Sequence, residues 1–308
     1  MNADAATPGG YLTPAVIARL RGLELRARTV VSGLLSGRHR SVYRGQSVEF
    51  AEHRPYAAGD DIRRIDWRLF GRQDRFHIKQ YEEETNLRCV LAIDVSRSMA
   101  YRSGPLNKYE YGACLGATLA YLLVRQHDAV GAVTFDDRIR RQLPAVTGRV
   151  QLANVLALLE DSGPIGTTDV KLLLHQLADE LRRRSLIVLI SDLLAAPDDV
   201  VAGLEHICCR GHELLVLHVM DDDEWNFPFV ENTLFDGLEE PQRLLADPQA
   251  LRANYLAVVR RFTARLRAVC LKHHADYVPV NTRDPLDVVL SSYLSGRRGT
   301  RPRGVTPA

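Results

Sequence analysis

The sequence predicts an α/β protein built on a doubly wound, mostly parallel sheet, preceded by an N-terminal helix and an irregular subdomain. Three observations carry this. From residue 88 onward, short apolar runs alternate with longer segments of helical periodicity. Those runs are continuous rather than alternating with polar residues, as strands buried on both faces require. Only one junction, Asp136-Asp137, is short enough for a hairpin, so one antiparallel edge strand is expected.

Thr13-Pro14 reads as an N-cap followed by proline at the first helical position. Val16, Ile17, Leu20, Leu23, Ala27, Val30, Val31 and Leu34 then recur at helical spacing, and Gly37 stops the helix. Residues 38–75 are rich in Arg, Asp and Gly without a clear period, so irregular structure held by salt bridges is expected, followed by a strand around Arg75–Tyr81. The apolar run Cys89–Ile93 ends in Asp94. A helix over Lys108–Arg125 carries Leu115, Leu119, Leu122 and Leu123, with Gly112, Ala113, Gly116 and Ala117 small enough for close packing. A strand Ala129–Phe135 turns into a second arm at Ile139–Leu143. Helices at 149–160 and 170–183 lead to a buried strand Leu186–Ile190 that ends in Ser191-Asp192. A helix at 198–209, a strand Leu214–Val219, a long helix at 249–273 and a strand Tyr277–Val280 complete the series. This divides the chain into 1–87 (helix and Arg/Asp-rich subdomain), 88–295 (the sheet domain) and 296–308 (a flexible basic tail).

The 308 residues, 46% hydrophobic and 25% charged, exclude wholesale disorder and collagen-like or disulfide-scaffold classes. No apolar run approaches the roughly 18 residues of a membrane span, and the N-terminus has no basic and apolar leader pattern; a cytoplasmic protein is expected. The five cysteines (Cys89, Cys114, Cys208, Cys209, Cys270) show no CxxC spacing and read as free thiols in a reducing compartment. Residues 1–88 hold 15 Lys+Arg against 11 acids, and the tail holds four arginines and no acid. Because Arg63, Arg64 and Arg68 are interleaved with acids rather than gathered in a patch, nucleic-acid binding is not the expected function.

In an open α/β sheet, ligands sit outside the carboxyl ends of the strands. At those ends stand Asp94-Val95-Ser96-Arg97-Ser98, the Gly166-Thr167-Thr168-Asp169 turn that opens a helix, and Asp192. Two carboxylates with hydroxyls, and no thiolate or imidazole, suit a hard cation such as Mg²⁺. A site rich in neutral hydroxyls leaves such a cation electrophilic and able to accept a carboxylate from a partner. Alternative roles for these residues are helix capping by Ser96 and Ser98 and a strand-end turn at Asp192.

The order DxSxS, Thr, Asp on such a sheet resembles the von Willebrand factor A domain, a Rossmann-like fold, and its metal-ion-dependent adhesion site. The resemblance implies Asp94, Ser96, Ser98, Thr168 and Asp192 as ligands of Mg²⁺ or Mn²⁺, with Thr167 an open alternative to Thr168. A longer resemblance covers about residues 40–295. RGQSVEFAEHRPYAAGDDIRRIDWRLFGRQDRFHIKQYEEETNLRCVLAIDVSRSM, HVMDDDEWNFPF and LFDGLEEPQRLLADPQALRANY are similar to domain-of-unknown-function family 58, in its short soluble form. That resemblance implies an adaptor or chaperone-like role beside a MoxR-type AAA+ ATPase, and it supplies no reaction.

The expected function is therefore a non-enzymatic, Mg²⁺-dependent protein-binding module. Competing with it are a Mg²⁺-dependent phosphohydrolase using Asp94 and an assembly protein whose metal braces loops. The phosphohydrolase lacks the second carboxylate two residues on, where Ser96 stands. No GxSxG elbow, GxxxxGK[ST] or GxGxxG motif is present. His53, Arg54, Asp60, Asp61, Asp66 and Trp67 read as a salt-bridged structural segment, with a binding surface as the alternative. The acidic run Asp221, Asp222, Asp223, Glu224 reads as a solvated loop, and its place in the family pattern implies a structural role.

Overall fold

The computed structural model describes residues 50–55, 67–73, 76–81, 87–181, 183–239 and 242–296. The helix expected from Pro14 to Gly37, the acids Asp60, Asp61 and Asp66, and tail residues 297–308 lie outside the described residues. Among those described, no helix is long and apolar enough to cross a membrane.

The chain enters as β1 (Phe50–Pro55), α1 (Trp67–Gln73) and β2 (His77–Tyr81), with β1 and β2 paired antiparallel in their own small sheet. The irregular reading of 38–75 is corrected here: His53 and Arg54 lie in a strand, and Trp67 starts a helix. The apolar residues of that helix find partners locally, since Phe70 stacks on Phe76 and the exposed Trp67 meets both rings edge-on.

The main body is β3 (Arg88–Asp94), α2 (Lys108–Arg125), β4 (Ala129–Phe135), β5 (Ile139–Val146), α3 (Arg149–Glu160), α4 (Val170–Glu180), β6 (Leu186–Ser191), α5 (Pro197–Cys209) and β7 (Glu213–Met220). It continues with α6 (Asp222–Asn226), β8 (Thr233–Asp236), β9 (Arg243–Ala246), α7 (Pro248–Lys272), β10 (Asp276–Asn281) and α8 (Leu286–Gly296). Six strands form one sheet in the order β10-β7-β6-β3-β4-β5, all parallel except the edge strand β5, as the Asp136-Asp137 turn predicts.

Both faces of β3 are apolar and each feeds its own core. Cys89, Leu91 and Ile93 pack beneath α2, α3 and α8, while Val90 and Ala92 face α4, α5 and α7. Strands buried on both sides need that continuous apolar run. Gly112 lets α2 approach β6, because a Cβ there would sit 2.9 Å from Ile190 Cγ2. A reciprocal capping box fixes the start of α2: Glu110 N–H donates to Asn107 Oδ1 at 2.7 Å, and Asn107 N–H donates to Glu110 Oε2 at 3.0 Å. The box sets the position of Lys108, the first residue of the helix. All five cysteines are free, with Cys89, Cys114 and Cys270 buried.

Two elements after β7 depart from the sequence reading. The acidic run is not a solvated loop: Asp221 is buried and caps α6, taking bonds from the Ser103 and Asp223 N–H groups and the Thr282 hydroxyl. The segment after it folds into the β8–β9 hairpin, a separate two-stranded sheet. Phe227, Phe229, Phe235 and Tyr255 join in one aromatic cluster that ties this hairpin to α7.

Candidate functional site

The β3 strand delivers Asp94 to the carboxyl edge of the sheet, fully buried. Its carboxylate is tied on both oxygens. Ser96 N–H donates to Oδ1 at 2.8 Å, and the Ser191 hydroxyl, from the end of β6, donates to Oδ2 at 2.5 Å. The Ser96 and Ser98 hydroxyls are also buried, 3.0 Å from one another. Ser96 stands at the N-cap position of the short 3₁₀ turn Arg97–Ala100, yet its side chain makes no capping bond. The two serines therefore point at each other rather than at the helix end that the capping alternative requires. Burial first, and then the negative charge of Asp192, push the Asp94 carboxyl up to about 7 against the bonds from Ser191 and Ser96.

The Gly166–Asp169 turn lies beside this strand end. Ile165 N–H donates to the Val95 carbonyl and Arg97 N–H to the Gly166 carbonyl, which stitch the two loops together. Gly166 has φ of +75°, and a Cβ there would meet Asp136 Oδ2 at 2.5 Å, so both backbone and space require glycine. Asp136 is itself held by Arg140, whose Nε donates at 2.6 Å. Asp169 caps α4 through Leu172 N–H. Thr168 is half-buried at the rim and Thr167 is exposed. The Thr168 N–H and hydroxyl both donate to the carboxylate of Glu239, at 3.0 and 2.8 Å.

Asp192 follows β6, at the strand end where the sequence places it, and it is buried with a partner the sequence reading lacks. Lys108 Nζ, 1% exposed, bridges Asp192 Oδ2 and Glu224 Oε1, each at 2.7 Å. Burial alone would strip the proton from this lysine, and the two carboxylates outweigh it and raise its pKa. On Asp192 burial likewise opposes the charge, and Lys108, with a hydrogen bond from Ser98, wins and lowers the pKa. His218 fixes the backbone here. Its Nε2 donates to the Asp192 carbonyl at 2.9 Å, so Nδ1 accepts from the Tyr277 hydroxyl at 2.7 Å. Burial pulls His218 down to about 4, which keeps the ring neutral. Leu193, next in the chain, takes the left-handed conformation with φ of 52°, a strained setting for a leucine.

The structure thus gathers Asp94, Ser96, Ser98 and Asp192 and sets Thr168 on the neighbouring loop. Among the described residues no group of three His, Cys, Asp or Glu side chains has the arrangement of a metal site. The donor set is instead two carboxylates and three hydroxyls, all hard oxygens, and that chemistry fits Mg²⁺ or Mn²⁺. Sequence reasoning misses Ser191, Lys108, Glu224 and Glu239. Lys108 and Glu224 carry a signal, since each belongs to a helix-start pattern, Asn107 to Glu110 and Asp221 to Glu224. Glu239 carries only its place in the segment LFDGLEEPQRLLADPQALRANY, on which the family resemblance rests.

Residues 52–265 match the family described as "Protein of unknown function DUF58". The chain is 28% identical over 292 residues to the uncharacterized protein Rv1480 of Mycobacterium tuberculosis, covering 93% of this chain and 91% of that protein. The uncharacterized protein Mb1516 of Mycobacterium bovis is similar to the same extent. Among solved structures, the conserved hypothetical protein BatB from Bacteroides thetaiotaomicron overlays with a TM-score of 0.48 at 16% identity, covering 70% of this chain and all of that one. An aerotolerance-related membrane protein from Bacteroides fragilis overlays with a TM-score of 0.48 at 17% identity, covering 68% of this chain and 98% of that one.

Proposed function

The chain belongs to the DUF58 family of proteins of unknown function, and on that premise we propose that it is a non-enzymatic, Mg²⁺-dependent protein-binding module with a von Willebrand factor A-like fold. The observation that supports this best is the buried oxygen cluster at the sheet edge: Asp94 tied by Ser96 and Ser191, beside two serine hydroxyls 3.0 Å apart that cap nothing. Asp94, Ser96, Ser98, Thr168 and Asp192 would hold Mg²⁺ or Mn²⁺, and a bound cation there supplies a position for a partner's carboxylate. The residues around it orient and exclude water. Ser191 and the Ser96 N–H fix the Asp94 carboxylate, His218 fixes the backbone of Asp192, and Lys108 balances its charge.

An adaptor role fits this site better than catalysis. Both Asp94 oxygens already accept hydrogen bonds and the residue is fully buried, so it is a poor nucleophile toward a phosphate ester. The family resemblance nominates a MoxR-type AAA+ ATPase as partner and the cytoplasm as location. The test is calorimetric titration of Mg²⁺ and Mn²⁺ into chelator-stripped protein, beside Asp94→Ala and Ser98→Ala. Saturable binding in the wild type, lost in both variants, is expected. Equal binding in wild type and variants would remove these residues from the site.

A further inference from the structure

α4 and α5 lie side by side on the sheet face opposite α2, and they approach closely: a Cβ on Gly203 would sit 2.7 Å from Leu174 Cδ1. Polar rungs cross between them. Lys171 Nζ meets Asp199 Oδ1 at 2.7 Å toward one end, and Arg210 meets Asp179 toward the other. Between these ion pairs the rung is His175 and His206, with Nδ1 of one ring turned to Nδ1 of the other and ring centroids 4.5 Å apart. We propose that this pair is a site for a late first-row divalent cation, Zn²⁺ or Cu²⁺, held by the two imidazoles across the α4–α5 interface. It is independent of the oxygen cluster, whose donors suit a harder ion.

The surroundings of each ring support this. A neutral imidazole binds a metal through the lone pair of one nitrogen while the other carries the proton. Asp179, one turn along α4 from His175, stands 3.8 Å from His206 Nε2. A carboxylate there favours the proton on Nε2 and leaves the Nδ1 lone pair aimed at His175, the arrangement that orients metal-bound histidines. A proton shared between the neutral rings uses the same two Nδ1 atoms, so an ion enters by displacing it, and His175 then carries its proton on Nε2. The rings are half-buried, with 27% of the His206 side chain exposed, which leaves the ion an entry path. Among the described residues no third His, Cys, Asp or Glu completes the set, so water fills the remaining coordination positions. Because α4 follows Thr168 and α5 follows the Asp192 loop, an ion at this rung ties together the helices behind two loops of the oxygen cluster.

The experiment uses the full chain in saturating Mg²⁺, with Cys209→Ser removing the exposed thiol at the end of α5. Calorimetric titration with Zn²⁺ is expected to show a single ion per chain, with binding lost in His175→Gln and in His206→Gln and kept in Asp94→Ala. Asp179→Asn is expected to weaken binding about tenfold. Its metal-free melting temperature should barely move, because the pair it breaks with Arg210 is on the surface. Cu²⁺ gives a second readout that needs no histidine variant: its paramagnetic resonance spectrum is expected to show splitting from two nitrogens. Absence of Zn²⁺ binding, binding that both glutamine variants retain, or a Cu²⁺ spectrum of oxygen ligands alone overturns the site. Zn²⁺ lost in Asp94→Ala and kept in the histidine variants assigns the ion to the oxygen cluster, which overturns this site and supports the other. Unchanged affinity in Asp179→Asn overturns the orienting role of that carboxylate.

Discussion

Replacing Lys108 by methionine tests how the site balances its charge. Methionine keeps the length of the side chain and its packing at the start of α2, and removes only the ammonium. What remains is Asp192, its side chain 3% exposed, facing Glu224, 25% exposed, with neither holding a counter-charge. Removing one partner of a buried ion pair costs about 3–5 kcal/mol, because the other charge is left uncompensated. The Asp192 arm is dry and carries most of this. The Glu224 arm is reached by water and adds under about 1 kcal/mol. Lys108→Met should therefore lose several kcal/mol in urea unfolding, and its melting point should fall by about 10 °C. Asp192→Asn in the same background should recover more of the loss than Glu224→Gln. Mg²⁺ should restore part of it, about 2.7 kcal/mol at a hundredfold excess over its dissociation constant, since a cation on Asp94 and Asp192 supplies the missing positive charge. A Lys108→Met protein within 1 kcal/mol of wild type would refute the ion-pair argument outright. A large loss on which Mg²⁺ has no effect would keep the ion pair and count against a shared cation.

Other consequences can be measured separately. A proton and a cation compete for Asp94, whose carboxyl stands near 7 because of burial and Asp192; metal affinity should rise about tenfold per pH unit up to about pH 7 and level off above. Calorimetry from pH 5.5 to 8.5 checks this, and a flat affinity would exclude Asp94 as a ligand. In chelator the same group acts on stability with the opposite slope. Its folded pKa lies above the unfolded value of about 4, so its contribution is complete below about pH 4 and is lost as pH rises through 7. Gly131→Ala, in the middle of β4, sets a Cβ 2.7 Å from the Leu143 carbonyl oxygen and 2.8 Å from Ala145 N, both backbone atoms of β5. The edge strand must shift, and a loss of about 1–3 kcal/mol is expected in chemical unfolding; a neutral substitution would mean that β5 sits elsewhere.

The parts of the fold that the sequence reveals are those where one physical demand dominates a whole segment. β3, β4, β6 and β7 are buried on both faces, so they cannot be written in anything but apolar residues, and their bounds follow to within a residue or two. α2 and α3 are marked by a full apolar face, and α2 also by its capping box. The elements that escape are small and packed on one side. β8 and β9 have four residues each and expose most of them, so no period develops. β1 and α1 sit in a charge-rich stretch that reads as irregular because their apolar partners, such as Phe70 and Phe76, are few and local. α8 is different: Leu286, Val289, Leu290 and Tyr293 recur at helical spacing and pack on the core, a legible signal directly ahead of the basic tail.

At the site, the division between visible and hidden residues follows the kind of bond each one makes. Asp94, Ser96 and Ser98 act through spacing along one turn, and Asp192 through its place at a strand end, so sequence alone brings them together. Lys108 and Glu224 act through charge across the fold and Glu239 through hydrogen bonds to Thr168, and one chain holds no record of which carboxylate a lysine will find 84 or 116 residues away. The consequence bears on how the site works. Read from the motif alone, the donor set carries two uncompensated negative charges and needs a cation to fold. With Lys108 in place, Asp192 is already balanced, and Asp94 is able to stay protonated near neutral pH. On the proposed reading the protein folds without metal and takes up the cation as a separate step, as a regulated docking site requires and a purely structural cation does not. A protein that is unfolded in chelator and folds only when Mg²⁺ is added would contradict this, because folding would then depend on the cation.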